Sequence, residues 1–241
     1  MRVHFPKLAA ALALGLLVLG SPGRALAAPA ALVTYISGQA SRVRDGKTEA
    51  LHTHSELQEG DQVVTAKGAR LELTLADKSV LRLDGGSELT LKAADFEGDD
   101  KKLTAKLGFG KIWAKVNSIL GGQSHFDVET RNAVAGVRGT TFRVDARHDA
   151  SALVRVYAGA VAVAGMRTPH PAHEAANAPR KEVPGPTEVS KHEYEKLLGA
   201  MMQVKVSSNG ELGEPAAFTE KEEAKDSWVA FNEQRDAKPA Q

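Results

Sequence analysis

Leu71-Glu72-Leu73-Thr74-Leu75-Ala76-Asp77-Lys78-Ser79-Val80-Leu81-Arg82-Leu83-Asp84-Gly85-Gly86-Ser87-Glu88-Leu89-Thr90-Leu91 is the stretch on which the fold turns. Leu71, Leu73 and Leu75 alternate with Glu72 and Thr74, Leu81 and Leu83 flank Arg82, and Leu89 and Leu91 flank Thr90. A period of two puts each leucine set on one face of a strand. Asp77-Lys78 and Asp84-Gly85-Gly86 supply the turns between them. Short β-type runs of this texture extend from Leu32 to Val163, and helical periodicity is nearly absent from them. The expected fold is mainly β: a sandwich, a β-roll or a β-solenoid built of short strands, with a hairpin meander as the plainer arrangement. No fixed-length repeat selects a solenoid.

Composition limits what such a fold can do. The chain has 241 residues and no cysteine, which excludes disulfides, thiolate metal sites, cysteine nucleophiles and a lipidated cysteine. Apolar residues make up 42% and aromatics 5%, so a core is available but must be built from Val, Leu and Ala. Lys+Arg number 31 against 30 Asp+Glu, a net charge of +1. Such a balance argues against nucleic acid or an anionic membrane as partner.

Residues 1–27 have the three parts of a secretory signal: a basic start with Arg2 and Lys7, an apolar run from Leu8 to Leu19, and Ala25 and Ala27 as small residues at a cleavage site. The apolar run is shorter than the roughly 20 residues that span a bilayer, which favours a cleaved signal over a retained anchor. Cleavage would remove Arg2, Lys7 and Arg24 and no acid, taking the net charge from +1 to about −2. The expected location is the periplasm or the medium, with no transmembrane span in the mature chain.

The expected domains follow composition: a signal at 1–27, a β domain at 30–166, a Pro/Ala/His-rich linker at 167–186 and a small mixed α/β extension at 187–241. The cluster Asp95, Glu97, Asp99, Asp100, Lys101, Lys102 reads as a solvated loop. In the extension, Ser190 and Glu193 resemble a capping box opening a helix through Tyr194, Leu197 and Leu198 to about Met202. Val204 and Val206 then alternate as a strand. Trp228 and Phe231, late in a polar tail, suggest that the tail docks on something apolar.

The most specific phrase is Val137-Arg138-Gly139-Thr140-Thr141-Phe142, preceded by the strand from Phe126 and by Thr130 to Ala133. Thr140, Phe142 and Val144 share one parity and Arg143 and Asp145 the other, so Phe142 faces a core. A strand running straight through Gly139 would also bury Arg138, which would then need a partner, either Asp61 or backbone carbonyls at strand ends. A bulge at Gly139 would instead turn Arg138 outward. The phrase resembles the V-R-G-T-x-F hallmark of the FecR domain family. The resemblance covers residues 32–165, from Gly38-Gln39 and Glu59-Gly60-Asp61 to Val154, Val156, Tyr157, Gly159, Val161 and Val163.

The resemblance implies a FecR-type β domain. Its best-known members are regulators that cross the inner membrane, with a cytoplasmic helical part restraining a sigma factor and a periplasmic part sensing an outer-membrane transporter. Here only a short basic start precedes the apolar segment, so the expectation is a stand-alone secreted FecR-domain protein that keeps the recognition half.

Catalysis has no constellation in this sequence. His52 and His54 share one face of an extended segment but lack a third ligand at a diagnostic spacing, and His170 and His173 sit in the linker. No G-x-S-x-G elbow, S-x-x-K, H-E-x-x-H or phosphate-cradling loop is present. We therefore expect no enzyme, no cofactor and no metal. The expected function is recognition of another envelope protein, by strand addition at a sheet edge, in cell-surface signalling. The alternative is a carbohydrate or peptidoglycan module that uses Trp113 or Trp228 as a stacking platform.

Overall fold

The computed structural model describes residues 29–95, 102–117, 125–166 and 195–237. The signal segment, most of the acidic-basic cluster, the linker with His170 and His173, and Ser190 and Glu193 lie outside the described residues. The strands are β1 (Ala31–Ser37), β2 (Ala40–Arg44), β3 (Lys47–Ala50), β4 (Glu56–Leu57), β5 (Gln62–Thr65), β6 (Arg70–Leu75), β7 (Val80–Leu83), β8 (Glu88–Asp95) and β9 (Lys102–Lys115). There follow β10 (His125–Glu129), β11 (Ala133–Val137), β12 (Thr141–Ala146), β13 (Ala152–Ala158), β14 (Val161–Gly165), β15 (Glu195–Leu198), β16 (Met202–Val206) and β17 (Ala216–Ala217). Two helices close the chain, α1 (Glu220–Glu223) and α2 (Ser227–Asp236).

Strand pairing sorts these elements into two layers. One runs β4-β1-β6-β7-β9-β12-β13-β16-β17. The other runs β3-β2-β5-β8-β9-β10-β11-β14-β15, with β9 and β10 parallel and the other pairs antiparallel. We call them the first and second sheets. Strand β9 belongs to both. Its first part pairs with β8 and β10, and from Gly110 onward it pairs with β12 in the first sheet. Gly110 has φ +100°, and a Cβ there would overlap the Ser87 side chain, so the bend that joins the layers requires glycine.

The alternation read from Leu71 to Leu91 fills the space between the layers. Leu71, Leu73, Leu81, Leu83, Ile112, Phe142 and Val154 from the first sheet meet Val63, Leu89, Leu91, Leu107, Phe126 and Val163 from the second. Phe126 and Phe142 bridge the layers edge to face, their centroids 6.4 Å apart. The chain is a mainly β, two-layer roll of short strands.

Two sequence expectations change here. Residues from Glu195 to Met202 form no helix. Strand β15 pairs with β14, and β16 pairs with β13. The uncovered edges of β14 and β13 offered ladder hydrogen bonds, and tertiary pairing overrode local propensity. Only Leu198 of the leucine pair is buried, while Leu197 is 74% exposed, the alternation of a strand. The sheet margins are also short: β4 and β17 have two residues each, and β3 and β15 four. Short edges discourage strand addition.

Candidate functional site

The outer face of the first sheet holds one row of long side chains. Tyr35 pairs across to Glu72, Glu72 to Arg82, Arg82 to Trp113, Trp113 to Arg143, Arg143 to Arg155, and Arg155 to Gln203. Seven strands contribute one residue each. On six of the seven strands these residues have the parity opposite to the core, so the same period of two that builds the core builds this row; on β1 a register shift between Val33 and Tyr35 turns Tyr35 outward. Arg82 and Arg143 are nevertheless each only 3% exposed. Their cover is the C-terminal segment.

Helix α2 lies along the row. Its ten residues rise about 15 Å, and three inter-strand steps of about 4.8 Å span nearly the same distance. Its two ends therefore meet residues two to three strands apart. At its start Asp226 Oδ2 accepts from Arg143 Nη1 at 2.8 Å. At its end Asp236 Oδ1 lies 2.8 Å from Arg82 Nη1, close enough for ion pairing but out of line for a hydrogen bond. Asp236 Oδ2 accepts from Trp113 Nε1 at 3.1 Å. Arg235 grips Glu72 in two bonds, Nε to Oε2 at 2.7 Å and Nη2 to Oε1 at 2.8 Å.

Helix α1 adds Glu223, whose Oε1 lies 2.9 Å from Arg155 Nη1 while its Oε2 accepts from the Tyr157 hydroxyl at 2.6 Å. Its start is a capping box, with Thr219 and Glu222 satisfying each other's backbone N–H groups. Between the ion pairs sits a second, smaller apolar cluster of Trp113, Trp228 and Val229, with Tyr157 and Phe231 against it. Trp113 packs on Tyr157 at 4.3 Å, and Trp228 stacks on Phe231 at 5.7 Å. The Arg70 guanidinium lies 4.4 Å from the Phe231 ring centroid, and that of Arg235 4.3 Å from Tyr35.

The row's ionisation follows from this pairing. Burial alone would raise the Glu72 carboxyl, but hydrogen bonds from Arg235 and Arg82 bring it down from 4.5 to about 2. Burial opposes the charge on Arg143, and the bonds to Asp145 and Asp226 outweigh it and hold the guanidinium protonated more strongly than usual. Burial, then the bond to Glu223, pushes the Tyr157 hydroxyl up.

The residues singled out from sequence are dispersed. Val137 ends β11 in the second sheet and Phe142 lies in β12 of the first, so Arg138, Gly139 and Thr140 are the crossing between layers. Gly139 has φ +62°, the strand does not run straight, and Arg138 is exposed. Asp61 is fully buried but pairs with Arg44, not with Arg138: Arg44 Nε and Nη2 reach its two oxygens at 2.6 Å each, and the Gln58 amide donates at 2.8 Å. With the C-terminal segment docked, Trp113 is 2% and Trp228 1% exposed, so in this arrangement neither offers a sugar-stacking platform. His52 and His54 sit exposed around a turn, His54 at φ +70°, not on one strand face. Among the described residues no three His, Cys, Asp or Glu side chains gather as a metal site.

Sequence reasoning missed Glu72, Arg82, Arg143 and Arg155 as a set. The local signal was present, a long charged residue at the middle of each apolar strand, but only cross-strand register lines them up.

Fold and site define a two-layer β protein with a charged sheet face that already holds a helix. Residues 61–162 match the family model described as FecR protein. Arg82, Trp113, Arg143 and Arg155 fall inside the matched range, and α1 and α2 fall outside it. Two crystal structures from Parabacteroides distasonis ATCC 8503, each provisionally described as an anti-sigma factor, are similar to this chain. One is 23% identical with a TM-score of 0.46, covering 65% of this chain and 59% of that one. The other is 22% identical with a TM-score of 0.49, covering 70% and 64%. This chain thus spans less than two thirds of the length of the solved chains it matches. No curated protein matches it. The FecR match fits a regulatory role in signalling.

Proposed function

We propose that this chain is a non-catalytic recognition module of the bacterial cell envelope, exported by cleavage after Ala27, that binds another envelope protein in a signalling pathway. The observation that carries this reading is the row from Tyr35 to Gln203. Seven strands align polar, charged and aromatic side chains on one face, and that face holds a helix by ion pairs at three of its arginine and glutamate positions. Directed charge pairs of this kind select a partner by position and sign. The FecR match over residues 61–162 supports the same class of role. The carbohydrate alternative loses the two tryptophans on which it depended.

The test is affinity capture. The chain from residue 28 to 241 is immobilised and exposed to solubilised envelope from the source bacterium, with proteins and glycans read in parallel. Stoichiometric capture of one envelope protein, competed by the free chain, is the expected result. Capture of glycan alone would overturn the reading. Mass spectrometry of the chain recovered from the periplasm should give Ala28 as its first residue, and an intact Met1 would contradict export by cleavage.

A further inference from the structure

We propose that the outer face of the first sheet is the partner-binding surface of this chain, that residues 219–237 occupy it in cis, and that the partner presents a helix of the same chemistry. That chemistry is a carboxylate at each end, about 15 Å apart over ten residues, with an aromatic pair between them. The inference rests on the reading of the chain as a protein-recognition module and adds the site and the kind of partner.

Three observations support reading the helix as a ligand of the sheet face. First, its departure leaves the two buried arginines paired. Arg82 keeps Glu72 at 2.6 Å, and Arg143 keeps both oxygens of Asp145 at 2.6 and 2.8 Å. A buried arginine that depended on the helix alone would forbid release, because removing one partner of a buried pair costs several kcal/mol. Arg155 loses Glu223, but it is already partly exposed and keeps a hydrogen bond to Gln203 at 2.9 Å.

Second, the fit is incomplete. The buried Trp228 Nε1 has no hydrogen-bond acceptor, an unfavourable group that a better-matched occupant would relieve. Third, the helix lies outside the main core. Helix α2 follows a two-residue strand and a four-residue helix, and its apolar side chains Trp228, Val229 and Phe231 pack in the smaller cluster. The main core between the sheets contains no residue of α1 or α2.

The face left behind is suited to an acidic helix. Arg82, Arg143 and Arg155 stand in one row with Trp113 between the first two, and Lys111 and Lys115 lie in the same strand as Trp113. Tethering gives the internal helix an effective concentration of about millimolar, so a partner must match its contacts and improve on them.

The probe is a labelled synthetic peptide of residues 216–237, titrated by fluorescence anisotropy into the full chain carrying Trp228→Ala, which loosens the internal helix. The expected result is saturable binding, tighter than to the unaltered chain by about tenfold or more, and competed by unlabelled peptide. Glu223→Arg in the peptide should weaken it, and Arg155→Glu in the chain should restore binding of that altered peptide. Absence of binding to a loosened chain that keeps its β circular dichroism, or binding indifferent to both charge reversals, overturns the proposal.

Hydrogen exchange on the unaltered chain gives a second measurement that needs no variant. Excess peptide should speed exchange of the α2 amides, and unchanged exchange overturns the proposal. Neither experiment uses the natural partner. Peptide failure alongside successful envelope capture would sink this surface alone, whereas peptide binding with glycan-only capture would sink the wider reading.

Discussion

Asp226 uses one carboxylate oxygen to cap α2 and the other to hold Arg143 of β12: Oδ1 accepts from the Trp228 amide at 2.9 Å and Oδ2 from Arg143 Nη1 at 2.8 Å. A single side chain thus starts the helix and fixes its place on the sheet. The N-cap alone contributes about 1 kcal/mol, and the charge-assisted bond to a buried guanidinium adds a comparable or larger amount. Burial would raise the Asp226 carboxyl, yet Arg143 and the Trp228 amide keep it below its ordinary value.

A double-mutant cycle with Arg143→Met and Asp226→Ala should therefore show coupling of about 1 kcal/mol or more in thermal or urea unfolding. Additive effects of the two changes would contradict a direct bond.

Trp228→Ala should release α2 while the main core survives. Truncating a buried tryptophan costs about 3–5 kcal/mol locally. The expected signature is a red-shifted emission from Trp113 and a near-UV change, with the far-UV β signal retained. Simultaneous loss of all sheet signal would show that the two apolar clusters are one cooperative unit.

Acid should loosen the same face. The folded carboxyl of Glu72 is held at about 2, below its ordinary 4.5. The stabilisation is fully present above about pH 4.5 and is lost as pH falls toward 2, an effect on the order of 3 kcal/mol. Asp226 is depressed too and works in the same direction. Tryptophan emission followed from pH 6 to 2 should report undocking, and Glu72→Gln should remove much of that dependence. A flat profile would contradict the pairing.

Asp61→Asn and Arg138→Ala should differ sharply. The first leaves Arg44 without its two-bond partner and alters a fully buried group, a loss of about 2–3 kcal/mol because Arg44 is partly exposed. The second changes an exposed residue and should cost less than about 1 kcal/mol. Equal losses in melting experiments would contradict these placements.

Much of the sandwich was legible. The alternation at Leu71 to Leu91 gave strands whose leucines are buried in the core, because period two survives any choice of partner strand. Parity likewise placed Phe142 inward. It failed at Arg138, where Gly139 at φ +62° carries the chain from one sheet to the other, so continuity of one strand was the wrong premise. The capping-box rule was sound chemistry. The box occurs at Thr219 and Glu222, whereas residues downstream of Ser190 and Glu193 pair as strands.

Asp61 shows why a buried acid does not name its partner. The sequence marks it as the aspartate of a turn-and-strand phrase, but Arg44 reaches it from β2, 17 residues away along the chain. Trp113 makes a related point: its strand was evident, and whether its outer face met water or another element was not.

By itself the sequence determined a mainly β chain with a Val, Leu and Ala core, without cysteine chemistry, and with the FecR phrase at Val137 to Phe142, since these follow from composition, period and local order. Only the tertiary structure decided that Glu72, Arg82, Trp113, Arg143 and Arg155 form one row and that the tail's helix lies upon it. Register between strands and the seating of a distant helix depend on contacts between residues far apart in sequence, up to Tyr35 with Arg235, and no local pattern carries that information.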